Sequence, residues 1–423
     1  MMRVTRPPTL ARRAARFLAL GLVVVRPAAA GAPPAPGAMT LDGALARARA
    51  DSPALGASAA ELEAARGRLV QARLLPANPV ISGEGARHTA PGEEQIDRGV
   101  ALAQEIEVGG QRGLRIEGAR HDVARAEQLL ADRRRLVDGE VRRSFFTLAA
   151  SERRRALARE AVGVADAVAE AAGRRARAGD VGALDVRLAE IEAARAAQAL
   201  AAADAEHAAA VARLAAALGA DPGEALAVRA DDTDPPPAPA EADVVAHALA
   251  VRPDLAAARE ERARLESEAA LARRRGVVPN PVVRGFYREE LLLERIAGGE
   301  ISVPLPVWNR EQGTEMALRA GASAAGSEVR RLTTEIPRQV QVALVRRTTA
   351  LAAWRRYRHD TLPAIGAARD LLERGQAAGY VGLPERLVQQ DRLLQVQAAA
   401  IDTWREVHVA DADLIEAAGG SLP

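Results

Sequence analysis

"RAGDVGALD", residues 177–185, interrupts Ala- and Arg-rich sequence that is helical in pattern for about sixty residues. Two glycines, Gly179 and Gly182, end the run, with Val181 between them. Farther on, "AAGYVGLPE", residues 377–385, sets Gly379, Val381 and Gly382 in the same order. A glycine can take the left-handed conformation that closes a helix. Each stretch therefore reads as a reversal between two helices, and its recurrence asks whether the whole chain repeats.

Other uncommon residues recur in the same order, all about 200 positions apart. Pro53 and Leu55 match Pro253 and Leu255, "NPV" at 78–80 matches "NPV" at 280–282, and Gly113 matches Gly313. This pattern predicts an internal duplication, with a first unit over 31–230 and a second over 244–423. Each unit opens with a helix, about 41–75 and about 241–276. Short extended runs follow, about 79–88 with 98–108, and about 281–290 with 299–307. Then come a very long helix, about 113–178 and about 312–378, and a return helix, about 183–219 and about 384–418. Between the units, "DDTDPPPAPAEAD" at 231–243 is a Pro-rich linker that cannot be helical.

The extended runs carry a period of two. Val100, Leu102, Ile106 and Val108 alternate with Ala101, Ala103, Glu105 and Glu107, and Ile301, Val303, Leu305 and Val307 alternate with Ser302, Pro304 and Pro306. An isolated hairpin is marginal in water, whereas runs of about ten residues match a tilted transmembrane strand. Phe286, Tyr287 and Trp308 gather in this small region. They suit the aromatic girdle of a barrel or the packing of a hairpin on a helix. Four strands cannot close a barrel, and lipid does not tolerate open edges, so strands in a membrane would require several copies; three would supply twelve.

Composition narrows the class. All 58 basic residues are arginine, interspersed with 56 acids for a net charge of +2, and only 2% of residues are aromatic. Such a chain suits thin, closely packed helices with solvated faces and offers no basic block for nucleic acid. The absence of cysteine excludes disulfides, thiolate metal sites and a lipid-modified N-terminal cysteine. Arg3, Arg6, Arg12, Arg13 and Arg16 precede the apolar "FLALGLVVV" at 17–25 and the small-residue "AAAGA". Residues 1–30 therefore read as a cleaved signal peptide, the alternative being a disordered basic tail. His88, His121, His207, His247, His359 and His408 are scattered without ligand spacing, and no GxxxxGK, GxSxG or HExxH motif occurs. Neither an enzyme nor a bound cofactor or metal is expected.

Together these elements resemble the outer-membrane efflux protein family, the TolC-like channels of Gram-negative bacteria, over roughly 41–419. "PANPVISGEG", "LAQEIEVGGQRGLRIEGA" and "GDVGALDV" carry the likeness in the first unit; "VPNPVVRGFY", "ISVPLPVWNREQG" and "GYVGLPERL" carry it in the second. "EVGGQRG" and "VPLPVWNREQG" look most like the heavy-metal, cobalt-zinc-cadmium branch. The resemblance implies a mainly α fold with a small β part, two tandem helical-hairpin repeats with two strands each. It implies a homotrimer with a twelve-stranded β-barrel in outer-membrane lipid and a long helical tunnel in the periplasm. A periplasmic adaptor and an inner-membrane pump of the resistance-nodulation-division type would be its partners, and passive conduction of heavy-metal cations or small toxic compounds its task.

By the same resemblance Gly179, Val181, Gly182, Gly379, Val381 and Gly382 form the tunnel tips that dock the adaptor; a hairpin turn without a partner is the plainer alternative. The family often narrows its tip with acidic residues just after the second turn. Asp391 falls at one such place and Val388 at the other, while Glu385 and Asp185 are further candidates. Three Asp391 carboxylates in a ring would favour cations, unless each is tied up by Arg392 or Arg386. A periplasmic adaptor would show one helical hairpin flanked by β-rich domains, and a secreted coiled-coil protein would lack the strands.

Overall fold

Two prolines break the opening helix of each half where the pattern predicts one continuous run. The structure, a computed structural model, describes residues 38–91, 93–290, 294–377, 380 and 382–423. The signal-like segment 1–30 and the turn residues Gly379 and Val381 lie outside them. Helix α1 (Leu41–Asp51) stops at Ser52, whose ψ of 118° is extended, and α2 (Pro53–Arg73) restarts with proline in its first turn. Likewise α5 (Glu241–Val251) stops at Arg252, ψ 121°, and α6 (Pro253–Val277) restarts. Proline pushes the residue before it out of the helical region, yet is well suited to the first turn, where its missing N–H costs nothing.

Strands β1 (Val80–Ala90) and β2 (Glu93–Glu105) form a hairpin in the first half, β3 (Val282–Glu290) and β4 (Glu294–Ser302) another in the second. They join in one antiparallel sheet of order β1-β2-β3-β4, with β2 pairing β3 across the halves. The hairpins are tighter than the apolar alternation predicts, because the polar "EEQIDRG" at 93–99 continues β2. In the second half the ladder stops at Ser302. Pro304 and Pro306 cannot donate to it, so 303–307 is not strand as predicted.

Helix α3 (Gln111–Arg177) runs 67 residues, about 100 Å, and α4 (Ala183–Leu218) returns along it. On α4, Ala189, Ala196, Ala203 and Ala210 are buried at intervals of seven, the seam of a close coiled-coil pair. Val168 and Ala172 of α3 pack against its first turns, beside the reversal. The second long helix is not uniform. Helix α7 (Gln312–Arg356) passes through a π-helical turn, Tyr357–Thr361, into α8 (Leu362–Ala377), and α9 (Leu383–Ala418) returns. The wide turn immediately precedes Pro363, which has no N–H for the helical ladder.

The halves are not separate domains. Helices α2, α3, α6 and α7 lie side by side in the same order as the strands, and α3 and α7 both contact α9. Phe145, Leu148, Leu214 and Leu218 of the first half share one core with Leu351, Trp354, Trp404 and Val407 of the second. The Pro-rich segment is a packed strap rather than a free linker. Trp354 Nε1 donates to Asp234 at 2.9 Å, Arg358 to the same carboxylate at 2.8 Å, and the buried Arg347 reaches the Pro236 carbonyl and Asp411.

Candidate functional site

The sheet has two unlike faces, fixed by its register. Ile81 lies opposite Leu102, Val100 opposite Tyr287, and Val283 opposite Ile301, all on one face and all exposed. Toward the hairpin ends the same face turns charged, with Arg98 opposite Glu289 and Glu289 opposite Arg295. The other face is mostly small or polar. Arg284 pairs with Glu300 at 3.2 Å, Arg288 meets Glu84, and both guanidiniums lie over Phe286, at 5.9 and 5.1 Å from its ring centre. Phe286 rests against Gly298, where an added Cβ would come within 2.6 Å of the ring. Phe286 and Tyr287, expected together as interface aromatics, therefore stand on opposite faces, and only Tyr287 joins the apolar one. Trp308, at the junction between β4 and α7, is 88% exposed. The alternation Arg284, Phe286, Arg288 was the sequence signal for the charged face. The outer strands β1 and β4 leave open edges.

The far reversal is built by backbone bonds. Gly179 has φ +82°; its N–H donates to the Ala176 carbonyl at 3.0 Å and that of Asp180 to the Arg175 carbonyl at 2.9 Å, a complete Schellman closure. In the second half the Tyr380 N–H donates to the Gly375 carbonyl at 2.9 Å, the counterpart of the Asp180 bond. Val181 is half-buried between the two glycines of the first turn. Gly182 and Gly382 cap the return helices with ordinary extended backbone, φ −78° and −71°. Asp185 spends its carboxylate on this cap, accepting the Gly182 N–H at 3.2 Å, while Glu385 is exposed in the matching first turn. An added Cβ at Gly182 would meet only Asp185 Oδ2, at 3.9 Å, so nothing within the chain demands glycine there. Exposed apolar residues surround this end, among them Tyr380, Leu184, Ile191 and Val388.

Asp391 is engaged across the two halves rather than within its own helix turn alone. It lies 3.6 Å from Arg195 of α4 and accepts a 2.7 Å bond from Gln395, tying one return helix to the other. Arg195 lies on the other half of the chain, so no local spacing could have named it. Among the described residues no group of three or more His, Asp or Glu could hold a metal ion. His408 is a packing residue: it stacks on Phe146 at 4.2 Å beside Trp404, and burial lowers its pKa to about 4. No helix among the described residues is long and apolar enough to cross a membrane.

Comparison with known proteins agrees with this geometry. The family model for "Outer membrane efflux protein" matches residues 44–220. The cobalt-zinc-cadmium resistance protein CzcC of Cupriavidus metallidurans is 29% identical over 368 residues, 86% of each chain. Two solved structures share the fold. The CmeC outer membrane channel of Campylobacter jejuni has a TM-score of 0.73 at 16% identity, over 90% of this chain and 86% of that one. The open-state MtrE outer membrane channel of Neisseria gonorrhoeae has a TM-score of 0.73 at 18% identity, over 90% of this chain and 89% of that one.

Proposed function

We propose that this chain is an outer membrane efflux protein, a channel of the Gram-negative outer membrane and not an enzyme, of which three copies close one twelve-stranded barrel. The observation that carries this is the sheet: four strands with two open edges and one exposed apolar face. Lipid accepts strands only when every edge is paired, and β1 of one copy beside β4 of the next would remove both edges. The charged face with Arg284, Arg288 and Glu300 would then line water. The recurring element order reflects a duplicated unit, so three chains give a sixfold-like ring of helical hairpins.

The turns carrying Gly179, Val181, Gly182, Gly379, Val381 and Gly382 form the periplasmic tips of that tunnel and dock an adaptor bound to an inner-membrane pump of the resistance-nodulation-division type. Gly182 supports this, since the fold itself leaves room for a side chain there. The likeness to CzcC points to divalent heavy-metal cations as cargo, with the choice of metal assigned to the pump. Asp391, with Glu385 nearby, flanks the tip as a charge already held by Arg195, and so contributes weakly to any cation-selective ring. Asp185 serves as a cap. Residues 1–30 are the export signal.

Membrane fractionation tests the proposal. A heat-resistant trimer in the outer-membrane fraction is the expected result. A soluble, elongated monomer in the periplasm would refute it.

A further inference from the structure

Three chain crossings between helix and strand are clamped at one level. Gln111, fully buried, donates from Nε2 to the Val278 carbonyl at 2.7 Å and accepts the Gly109 N–H at 2.7 Å. Arg112 donates to the Arg73 carbonyl at 2.9 Å, and Arg115 to the Ala72 and Leu74 carbonyls at 3.1 and 2.8 Å. The first turn of α3 and the last turns of α2 and α6 are thus held together just where the backbone enters the sheet.

This level is basic. Arg73, Arg112, Arg273, Arg274 and Arg275 are exposed, and none makes an ion pair among the described residues. Directly below them, a cavity of about 620 Å³ lies between α2, α3 and α6, and Arg275 lines it with Arg68, Arg115, Arg125 and Arg264. The last four are matched by carboxylates: Asp122 takes Arg68 and Arg125, Glu107 takes Arg115, and Glu261 and Glu268 take Arg264. Arg275 is the one of these five arginines without an ion pair among the described residues. Exposed apolar side chains share this level: Leu74, Leu75 and Val277. A water-filled passage gives no reason for that mixture, whereas the boundary of a bilayer does.

We propose that this belt is a headgroup site for anionic phospholipid of the leaflet facing the helical tunnel, with the phosphate met by Arg275 at this cavity and the acyl chain laid along Leu75. The inference rests on the membrane reading of the sheet. Its occupant is lipid rather than a neighbouring copy because Arg275 stands on α6, which leads into the central strand β3, away from the open edges where another copy would pair. Charge complementarity favours it. An arginine at a membrane surface is worth roughly fivefold in anionic-lipid binding.

The mature protein would be reconstituted in nanodiscs of phosphatidylglycerol with excess phosphatidylcholine, and the lipid retained after detergent extraction quantified by mass spectrometry. Retained lipid should be enriched at least roughly fivefold in phosphatidylglycerol over the starting mixture. The variant Arg273→Gln/Arg274→Gln/Arg275→Gln should retain the starting ratio while remaining a heat-resistant trimer. An unenriched wild-type, equal enrichment in the variant, or displacement of the bound lipid by millimolar inorganic phosphate would overturn the lipid site. Failure of the wild-type chain to insert would instead remove the channel reading, and this inference with it.

Discussion

Replacing Gly182 and Gly382 together by asparagine separates docking from folding. At Gly182 the backbone is at φ −78° and ψ 162°, open to any residue, and an added Cβ would touch only Asp185 Oδ2 at an ordinary 3.9 Å. Gly382 has the same backbone, φ −71° and ψ 161°. Both are N-caps, where asparagine equals or exceeds glycine by a few tenths of a kcal/mol. The double variant should therefore unfold at the wild-type temperature or slightly above it. Gly179 differs: at φ +82° an alanine there would cost about 1–2 kcal/mol from backbone strain alone, although its surroundings are empty. If a partner's backbone packs on the cap glycines, asparagine should weaken the adaptor contact by tenfold or more, at least about 1.4 kcal/mol. The assay pairs trimer melting with site-specific crosslinking to the adaptor in whole cells. Full crosslinking and full efflux in a stable double variant would refute the reasoning.

Lowering the pH should destabilise the helical core through His408. Its folded pKa of about 4 lies below the ordinary 6.5, so the unfolded chain takes up the proton first, and stability present above 6.5 is lost as pH falls toward 4. The loss is about 3 kcal/mol at most; His408→Phe should remove that part of the slope in denaturant titrations between pH 7 and 4, and an unchanged difference would count against it. Gly276→Ala should cost at least about 1–3 kcal/mol, because the new Cβ would lie 2.0 Å from the Arg310 carbonyl oxygen; an unaltered trimer melting temperature would contradict this. Asp391→Ala should barely change cation preference in bilayer recordings, whereas the same change in an Arg195→Ala background should lower it. A large effect of the single substitution would mean that Asp391 is not held by Arg195.

The long helices and their reversal were legible because glycines at fixed positions and helical patterning are local signals. The strand ends were less so. Residues 93–99 carry no apolar alternation and are strand because β1 pairs with them, β3 joining only at Arg98 and Gly99, whereas 303–307 has the alternation but prolines that cannot pair. The breaks at Ser52 and Arg252 are written in Pro53 and Pro253, each of which drives the residue before it out of the helical region. The opposite faces of Phe286 and Tyr287 follow from simple strand parity. The partner of Asp391 was beyond reach, since Arg195 meets it only through the packing of two return helices from different halves.

Single-channel recording of the purified protein in planar bilayers tests the central claim most directly. Heat-resistant trimers should give discrete, long-lived conductance steps, and the dissociated chain none. Trimers that insert without conducting, or steps that persist after dissociation to monomers, would contradict it.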